Sequence, residues 1–336
     1  MIIDIHSHLA HPELAKRAPV PPSLLDVERL IEVKAEAGID LTLIGSPSGP
    51  GTLVPASRGG NYEQPLDKLR AFHDWLGATV SKHRSRLRAY VYCDPFADDT
   101  VLAAAEEYLH REEFVGIITN PSGHGEYLDS PRADGFFAFA AGQGVPVMIH
   151  SGMDPVCCQG ISDYGLFDMV GRYCDVTLGL SALVLSGRLE QYPSLRIIGT
   201  ASGGALSLIG SRLDMAWRSQ LWAGAGKKPE GLLGQRIHTP PSELLRRLYA
   251  DTTADNRDLH LANLKVLGAA HLLFGSDWPP VPVVHQHKIR EIEALPLSME
   301  EQRAILGDNA SRIFDLGVPA QRSTVMTNFQ PLEEAQ

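Results

Sequence analysis

Short apolar segments bounded by turn residues recur along the chain, and the stretches between them carry apolar residues at helical spacing. Eight such segments can be counted: Ile2–His6, Leu41–Ser46, Leu87–Asp94, Val115–Asn120, Val145–Ser151, Leu195–Thr200, Arg247–Thr252 and Leu272–Asp277. Between them, Leu24, Val27, Leu30 and Ile31 share one helical face, as do Leu306, Ala310 and Ile313 near the end. Strands alternating with helices are the pattern of repeated βα units around a parallel sheet. Eight strands suit a closed barrel better than an open sheet, so the expected architecture is α/β, a single (β/α)8 TIM barrel over residues 1–318 with 319–336 as a tail.

The Gly- and Pro-rich stretches Gly49–Gly60 and Pro279–Pro282 directly follow candidate strands, where a barrel carries its functional loops, so they are not domain linkers. No internal repeat is found, and the only poorly patterned stretch is the terminal one, Pro319–Gln336. Fraying is expected of it, with the arm of a homodimer as the other reading.

Composition narrows the function classes. Hydrophobic residues make up 44% and charged residues 21% of the 336, enough for a sizeable core. A formal net charge of −10 argues against a nucleic-acid groove or an anionic membrane surface as partner. The start Met1-Ile2-Ile3-Asp4 has no basic leader region, and the apolar run Val176–Leu185 is too short and too polar at its flanks to span a bilayer. The expectation is a cytoplasmic protein acting on a small molecule. Cys93, Cys157, Cys158 and Cys174 form no CxxC pair, so free thiols are expected; the adjacent Cys157 and Cys158 read as buried apolar packing, with a reactive pair as the alternative.

The candidate chemistry lies at strand ends. The first strand closes on His6-Ser7-His8, and alternation puts both imidazoles on one side. His150 ends the fifth strand and Asp277 the eighth, and both face the same rim. Three neutral imidazoles and a carboxylate suit zinc, also accept manganese or iron, and leave a coordination position for water or substrate. One divalent ion held by His6, His8, His150 and Asp277 is therefore the expected centre.

The chain resembles the amidohydrolase superfamily, which opens with an HxH strand and closes with an aspartate after the eighth strand. The resemblance runs from Ile3 to about Phe314 and includes Gly116-Ile-Ile-Thr-Asn120, His150, Tyr192-Pro-Ser-Leu-Arg-Ile-Ile198, Gly203-Gly204, Arg212-Leu-Asp214, Phe274-Gly-Ser-Asp-Trp-Pro279 and Asn309-Ala310. It is most similar to the branch containing aminocarboxymuconate semialdehyde decarboxylase, the nonoxidative hydroxybenzoate decarboxylases and oxalomesaconate hydratase. The resemblance implies the same four ligands. The fourth strand ends in Thr119 and Asn120 rather than in a metal-bridging lysine, which implies one metal and not two.

One position departs from the family. A histidine usually precedes a glycine pair after the sixth strand, and Ala201 stands there, in Gly199-Thr-Ala-Ser-Gly-Gly204. His124 is the favoured replacement as proton carrier because imidazole titrates near neutrality, with Ser202 and the loop carboxylate Glu126 as others. Alternatively Asp277 alone shuttles the proton, or the chain binds a ligand without turnover. Arg58, Asn120, Asp251 and Trp278 are candidate substrate contacts, Arg58 as a bidentate partner for a carboxylate; Asp251 could equally cap a helix. His285 and His287 read as surface or supporting residues rather than ligands. The resemblance implies a nonoxidative decarboxylase of an aromatic or unsaturated carboxylic acid. The alternatives are a hydrolase or hydratase working through a metal-bound hydroxide, and a non-catalytic binding protein.

Overall fold

The computed structural model describes residues 1–16, 19–46, 65–152, 155–158, 161, 165–217 and 237–317. Ten strands occur among them: β1 (Ile3–Ser7), β2 (Leu41–Ile44), β3 (Leu87–Tyr92), β4 (Phe114–Thr119), β5 (Ser122–Gly123), β6 (Glu126–Tyr127), β7 (Val147–Ile149), β8 (Ile197–Gly199), β9 (Tyr249–Asp251) and β10 (Leu272–Leu273). Eight form one parallel sheet in the order β1-β2-β3-β4-β7-β8-β9-β10, and β5 with β6 makes a small antiparallel hairpin after β4. Helices run between the sheet strands, among them Val27–Glu36, Leu66–Lys82, Asp99–Leu109 and Arg172–Leu185. The sheet closes where Ile5 N–H donates to Phe274 O (2.9 Å), Asp277 N–H to His6 O (2.8 Å) and His8 N–H to Trp278 O (3.0 Å). This is the expected (β/α)8 barrel.

All eight expected segments contain a sheet strand, but the later ones are shorter than their apolar runs. β10 stops at Leu273, although its segment reads as strand to Asp277, because from Phe274 the chain bonds to β1 irregularly and Asp277 turns left-handed at φ 57°. Likewise β8 gives way at Thr200 to a turn in which Ala201 and Ser202 have φ 51° and 54°. The β5–β6 hairpin lies where the sequence reads only as a loop. The expected tail, 319–336, and the whole of Gly49–Gly60 lie outside the described residues.

The strands of the eight-stranded sheet are buried on both faces. Ile3, Leu43, Tyr92, Ile118 and Met148 fill the barrel interior, whereas Ile44, Val91, Ile117 and Val147 pack outward under the helices. Alternation then decides what appears at the mouth, two residues beyond the inner layer: Asn120 beyond Ile118, His150 beyond Met148, Asp251 beyond Tyr249. β1 breaks this rule. Its inner residues are Ile3 and Ile5, and Asp4 faces the helix residue Lys34, so simple alternation would send His6 outward. A register shift between Asp4 and Ser7, with His6 N–H bonded to the Asp4 side chain (3.0 Å), changes the phase and lets His6 and His8 join the mouth.

Candidate metal centre

His6, His8 and His150 are all buried, and their ring centroids lie 4.9–5.0 Å apart, each ring edge-on to the others. One ligand atom from each of these residues and from Asp277 falls within 4.8 Å of all the others. His6 Nε2 is 3.1 Å from His8 Nε2, and Asp277 Oδ1 is 3.0 Å from His8 Nε2 and 3.4 Å from His6 Nε2.

The far side of each ring fixes its tautomer. His6 Nδ1 donates to Asp251 Oδ2 (2.7 Å), His8 Nδ1 to Gly45 O (2.8 Å) and His150 Nδ1 to Ser151 O (2.8 Å). Carbonyl oxygens and an ionised carboxylate only accept, so all three protons sit on Nδ1 and the neutral rings point three Nε2 lone pairs at one spot. Lone pairs converging beside a carboxylate repel unless a cation lies between them. The residues present therefore fit a metal ion.

Electrostatics points the same way. Burial opposes charge on Asp277, yet the three imidazoles outweigh it and hold its carboxyl far below the usual carboxylate range. Burial, with His6 and His8 alongside, pushes His150 well below the usual histidine range and keeps it neutral. Burial also acts against charge on His6, but Asp277 and the Asp251 hydrogen bond prevail and raise it. A proton thus competes with the ion for His6. Because that pKa lies above the usual histidine value, metal affinity is expected to fall as pH drops from mildly alkaline to mildly acidic; chelator competition at a series of pH values checks it. A flat profile would contradict the ligand assignment.

Two features support His6. Asp251 is fully buried, its Oδ1 accepting from Ser202 N–H (2.7 Å) and from the Thr253 hydroxyl (2.9 Å). Gly275 is needed for close approach, since a Cβ there would lie 3.0 Å from His6 Cβ and 3.2 Å from Asp251 Cβ.

The remaining expected site residues are placed as follows. Asp251 was expected to touch substrate or cap a helix; with both oxygens engaged by protein groups, it positions His6 instead. Ser202, expected as a proton carrier, is fully buried: its hydroxyl accepts from Ala254 N–H (3.0 Å) and its carbonyl from Asn263 Nδ2 (2.8 Å). It holds the turn beneath Asp251 and has no exposed surface to offer a substrate. His124 sits at the tip of the β5–β6 hairpin with φ 54°, about one-third exposed, and its Nε2 is 3.6 Å from Asp94 Oδ2 beyond the end of β3. The neighbouring Asp94 carboxylate raises the His124 pKa. Glu126 bonds Ser130 and Arg132 rather than the mouth. Asn120 is fully buried and its Oδ1 accepts from Tyr92 OH (2.8 Å). Trp278, half-buried, has Lys34 Nζ 5.7 Å from its ring centroid. Arg58 lies outside the described residues.

His285 and His287 lie on the helix His285–Glu293, outside the cluster. The four cysteines are free thiols; Cys158 is buried, Cys157 half-buried, and their Sγ atoms are 3.9 Å apart. The sequence reading missed Asp4 and Lys34. A lysine four residues after Leu30, on the buried face of its helix, is the signal that could have found it. Among the described residues no helix is long and apolar enough to cross a membrane.

No curated protein sequence matches the chain. Solved structures do. A 5-carboxyvanillate decarboxylase from Sphingomonas paucimobilis is 20% identical, with 94% of this chain and 98% of that one covered and a TM-score of 0.78. A dihydroxybenzoic acid decarboxylase from a Polaromonas species, with bound manganese and the inhibitor 2-nitroresorcinol, is 19% identical, with coverage of 94% and 97% and a TM-score of 0.77. A second 5-carboxyvanillate decarboxylase, from Novosphingobium aromaticivorans and complexed with manganese and 4-hydroxy-3-methoxy-5-nitrobenzoic acid, is 18% identical, with coverage of 94% and 96% and a TM-score of 0.78. At such identities the likeness establishes the shared fold. The sequence match is more telling, because the model of one amidohydrolase family spans residues 3–316, from the first strand to the last helix; the chain belongs to that amidohydrolase family.

Proposed function

We propose that this chain is a nonoxidative decarboxylase of an aromatic or unsaturated carboxylic acid, working with one divalent ion held by His6, His8, His150 and Asp277. The observation that carries the reading is the commitment of every Nδ1–H to an acceptor, which leaves three Nε2 atoms and a carboxylate aimed at one point. Family membership favours an enzyme, and the decarboxylases among the similar structures favour loss of CO2 over the family's other reactions. The donor set suits zinc. Manganese, present in two of the similar structures, is the alternative, and elemental analysis separates the two.

Held by His6, His8, His150 and Asp277, an ion would supply Lewis-acid chemistry toward the substrate carboxylate. The protein must deliver a proton to the carbon that loses CO2. Asp277 has 29% of its side chain exposed, the most of the four ligands, but it is held firmly as an anion and so has no proton to give. His124 has the opposite bias, since Asp94 favours its imidazolium, which makes it the donor in place of the family histidine missing at Ala201. The electron pair of the breaking C–C bond stays on the substrate carbon, takes the His124 proton, and CO2 leaves. Trp278, next to Asp277 on the rim, is the proposed substrate contact; Asn120, fully buried and held by Tyr92, has no exposed surface to offer one.

The reading is tested with metal-loaded protein and a panel of hydroxylated benzoic acids and unsaturated carboxylic acids in deuterated water. CO2 release, with one deuteron at the carbon that carried the carboxyl, is expected. Uptake of solvent oxygen without CO2 would indicate a hydrolase or hydratase, and metal-loaded protein inert to every acid would indicate a binding protein.

The role of His124 has its own signature. Its raised pKa means that the active, protonated form is present below that pKa and lost as pH rises through it. Activity should therefore fall on the alkaline side, and His124→Gln should lower kcat by roughly 10²-fold or more and remove that limb. An unchanged pH–rate profile in the variant would exclude His124 as donor.

A further inference from the structure

Asp277 has a left-handed backbone conformation, with φ 57°, that an L-residue adopts only at a cost. Something must hold it there, and the residues on either side show what does. Ser276 Oγ accepts from Lys34 Nζ (2.7 Å) and from Trp278 N–H (3.2 Å), and donates to His6 O (3.4 Å). Ser276 N–H donates to Asp4 Oδ1 (3.1 Å), and the same oxygen accepts from His6 N–H (3.0 Å). The Asp4 Oδ2 atom takes the Lys34 ammonium and the Ser7 hydroxyl. Lys34 also lies 5.7 Å from the Trp278 ring centroid. One ammonium therefore touches the residues immediately before and after Asp277, and its counterion binds the backbone that presents His6.

Lys34 and Asp4 are both buried, at 2% and 0% exposure. A buried ion pair contributes little net stability on average, because desolvation offsets the attraction, whereas a fixed arrangement of its neighbours is what such a pair can provide. Burial works against charge on Asp4, but Lys34 prevails and keeps its carboxyl below the usual range. The pair is also internally neutral, so it leaves the charge available to a divalent ion unchanged.

We propose that Lys34, acting with Asp4 through Ser276 and Trp278, is a positioning residue that holds Asp277 in its left-handed conformation so that its carboxylate meets the three imidazoles. Lys34 is not one of the four clustered groups. This inference rests on the metal-centre reading and adds to it the device that assembles its anionic ligand.

The probe is zinc alone, titrated into the full-length chain against a competing chelator, so the readout does not depend on turnover. Lys34→Met preserves the apolar stem and removes the charge; it should weaken zinc binding by about 10–100-fold, the usual effect of losing a partner that supports a ligand. Ser276→Ala should weaken binding in the same direction while leaving the Lys34–Asp4 pair in place, and it carries the test if Lys34→Met does not fold. The deciding comparison is a double-mutant cycle with Asp277→Asn. If Lys34 acts through Asp277, its replacement in the Asp277→Asn background should change zinc affinity by less than about 2-fold. A general loss of structure would instead lower affinity by the same factor in both backgrounds and would overturn the proposal, as would unchanged affinity in Lys34→Met or, failing its folding, in Ser276→Ala. Wild-type protein that binds no zinc or manganese would refute the metal-centre reading itself, and this inference with it.

Discussion

Asp277→Asn is expected to abolish turnover, with kcat lowered by roughly 10²–10⁴-fold even when the variant is saturated with metal. The substitution keeps shape and removes charge. In the wild-type chain Asp277 Oδ1 lies within 3.4 Å of two ligand nitrogens, and the carboxylate is the only anion among the four clustered groups. An amide there leaves one positive charge uncancelled when a divalent ion binds, and it is a weaker ligand than the carboxylate it replaces. Metal affinity should fall as well, so rates must be compared at verified metal content. A metal-saturated Asp277→Asn protein with near wild-type kcat would remove Asp277 from the reaction.

His150→Ala is expected to release the ion. His150 supplies one of three imidazole donors, kept neutral by burial and oriented by the Ser151 carbonyl. Losing a ligand should weaken binding by more than the roughly 10–100-fold caused by losing a supporting hydrogen-bond partner. The consequence reaches stability. An ion bound only to the folded chain stabilises it by about 4 kcal/mol when free metal is 1,000 times its Kd, so chelation should lower the Tm of the wild-type protein by several degrees. In His150→Ala, chelator and added metal should leave the Tm unchanged, and thermal scans with and without chelator show the difference. A His150→Ala protein that keeps a metal-dependent Tm would contradict its place among the ligands. His287→Ala, on a helix outside the cluster, is the control and should retain the ion.

The barrel was legible because its strands are nearly continuous apolar runs, and the runs ending at His150 and Asp277 carried the right residues to the mouth. Strand ends were less legible. Ala201, Ser202 and Asp277 leave the sheet in left-handed conformations that apolar patterning does not encode. The pairing of His6 with His8 followed from simple alternation, but their placement on the inner side did not, because Ile3 and Ile5 already occupy it and a register shift is needed. Asp251 looked like a helix cap or a substrate contact, since Asp-Thr-Thr has the composition of both; only the fold brings it behind a histidine 245 positions away. Ser202 was read from its neighbour Ala201, whereas its hydroxyl points into the turn's own hydrogen bonding. Lys34 and Asp4 escaped notice for a related reason. Their value lies in partners from the opposite end of the chain, such as Ser276, 242 positions from Lys34.

Metal content tests the four-ligand centre most directly. Protein purified without chelator, supplemented with zinc or manganese and freed of loosely bound ions, should hold about one divalent ion per chain by elemental analysis, as four converging ligands imply. The His6→Ala and His150→Ala proteins, treated identically, should hold far less. Near-zero occupancy of the metal-supplemented wild-type chain, or equal occupancy in all three proteins, would contradict the assignment of His6, His8, His150 and Asp277 as a metal centre.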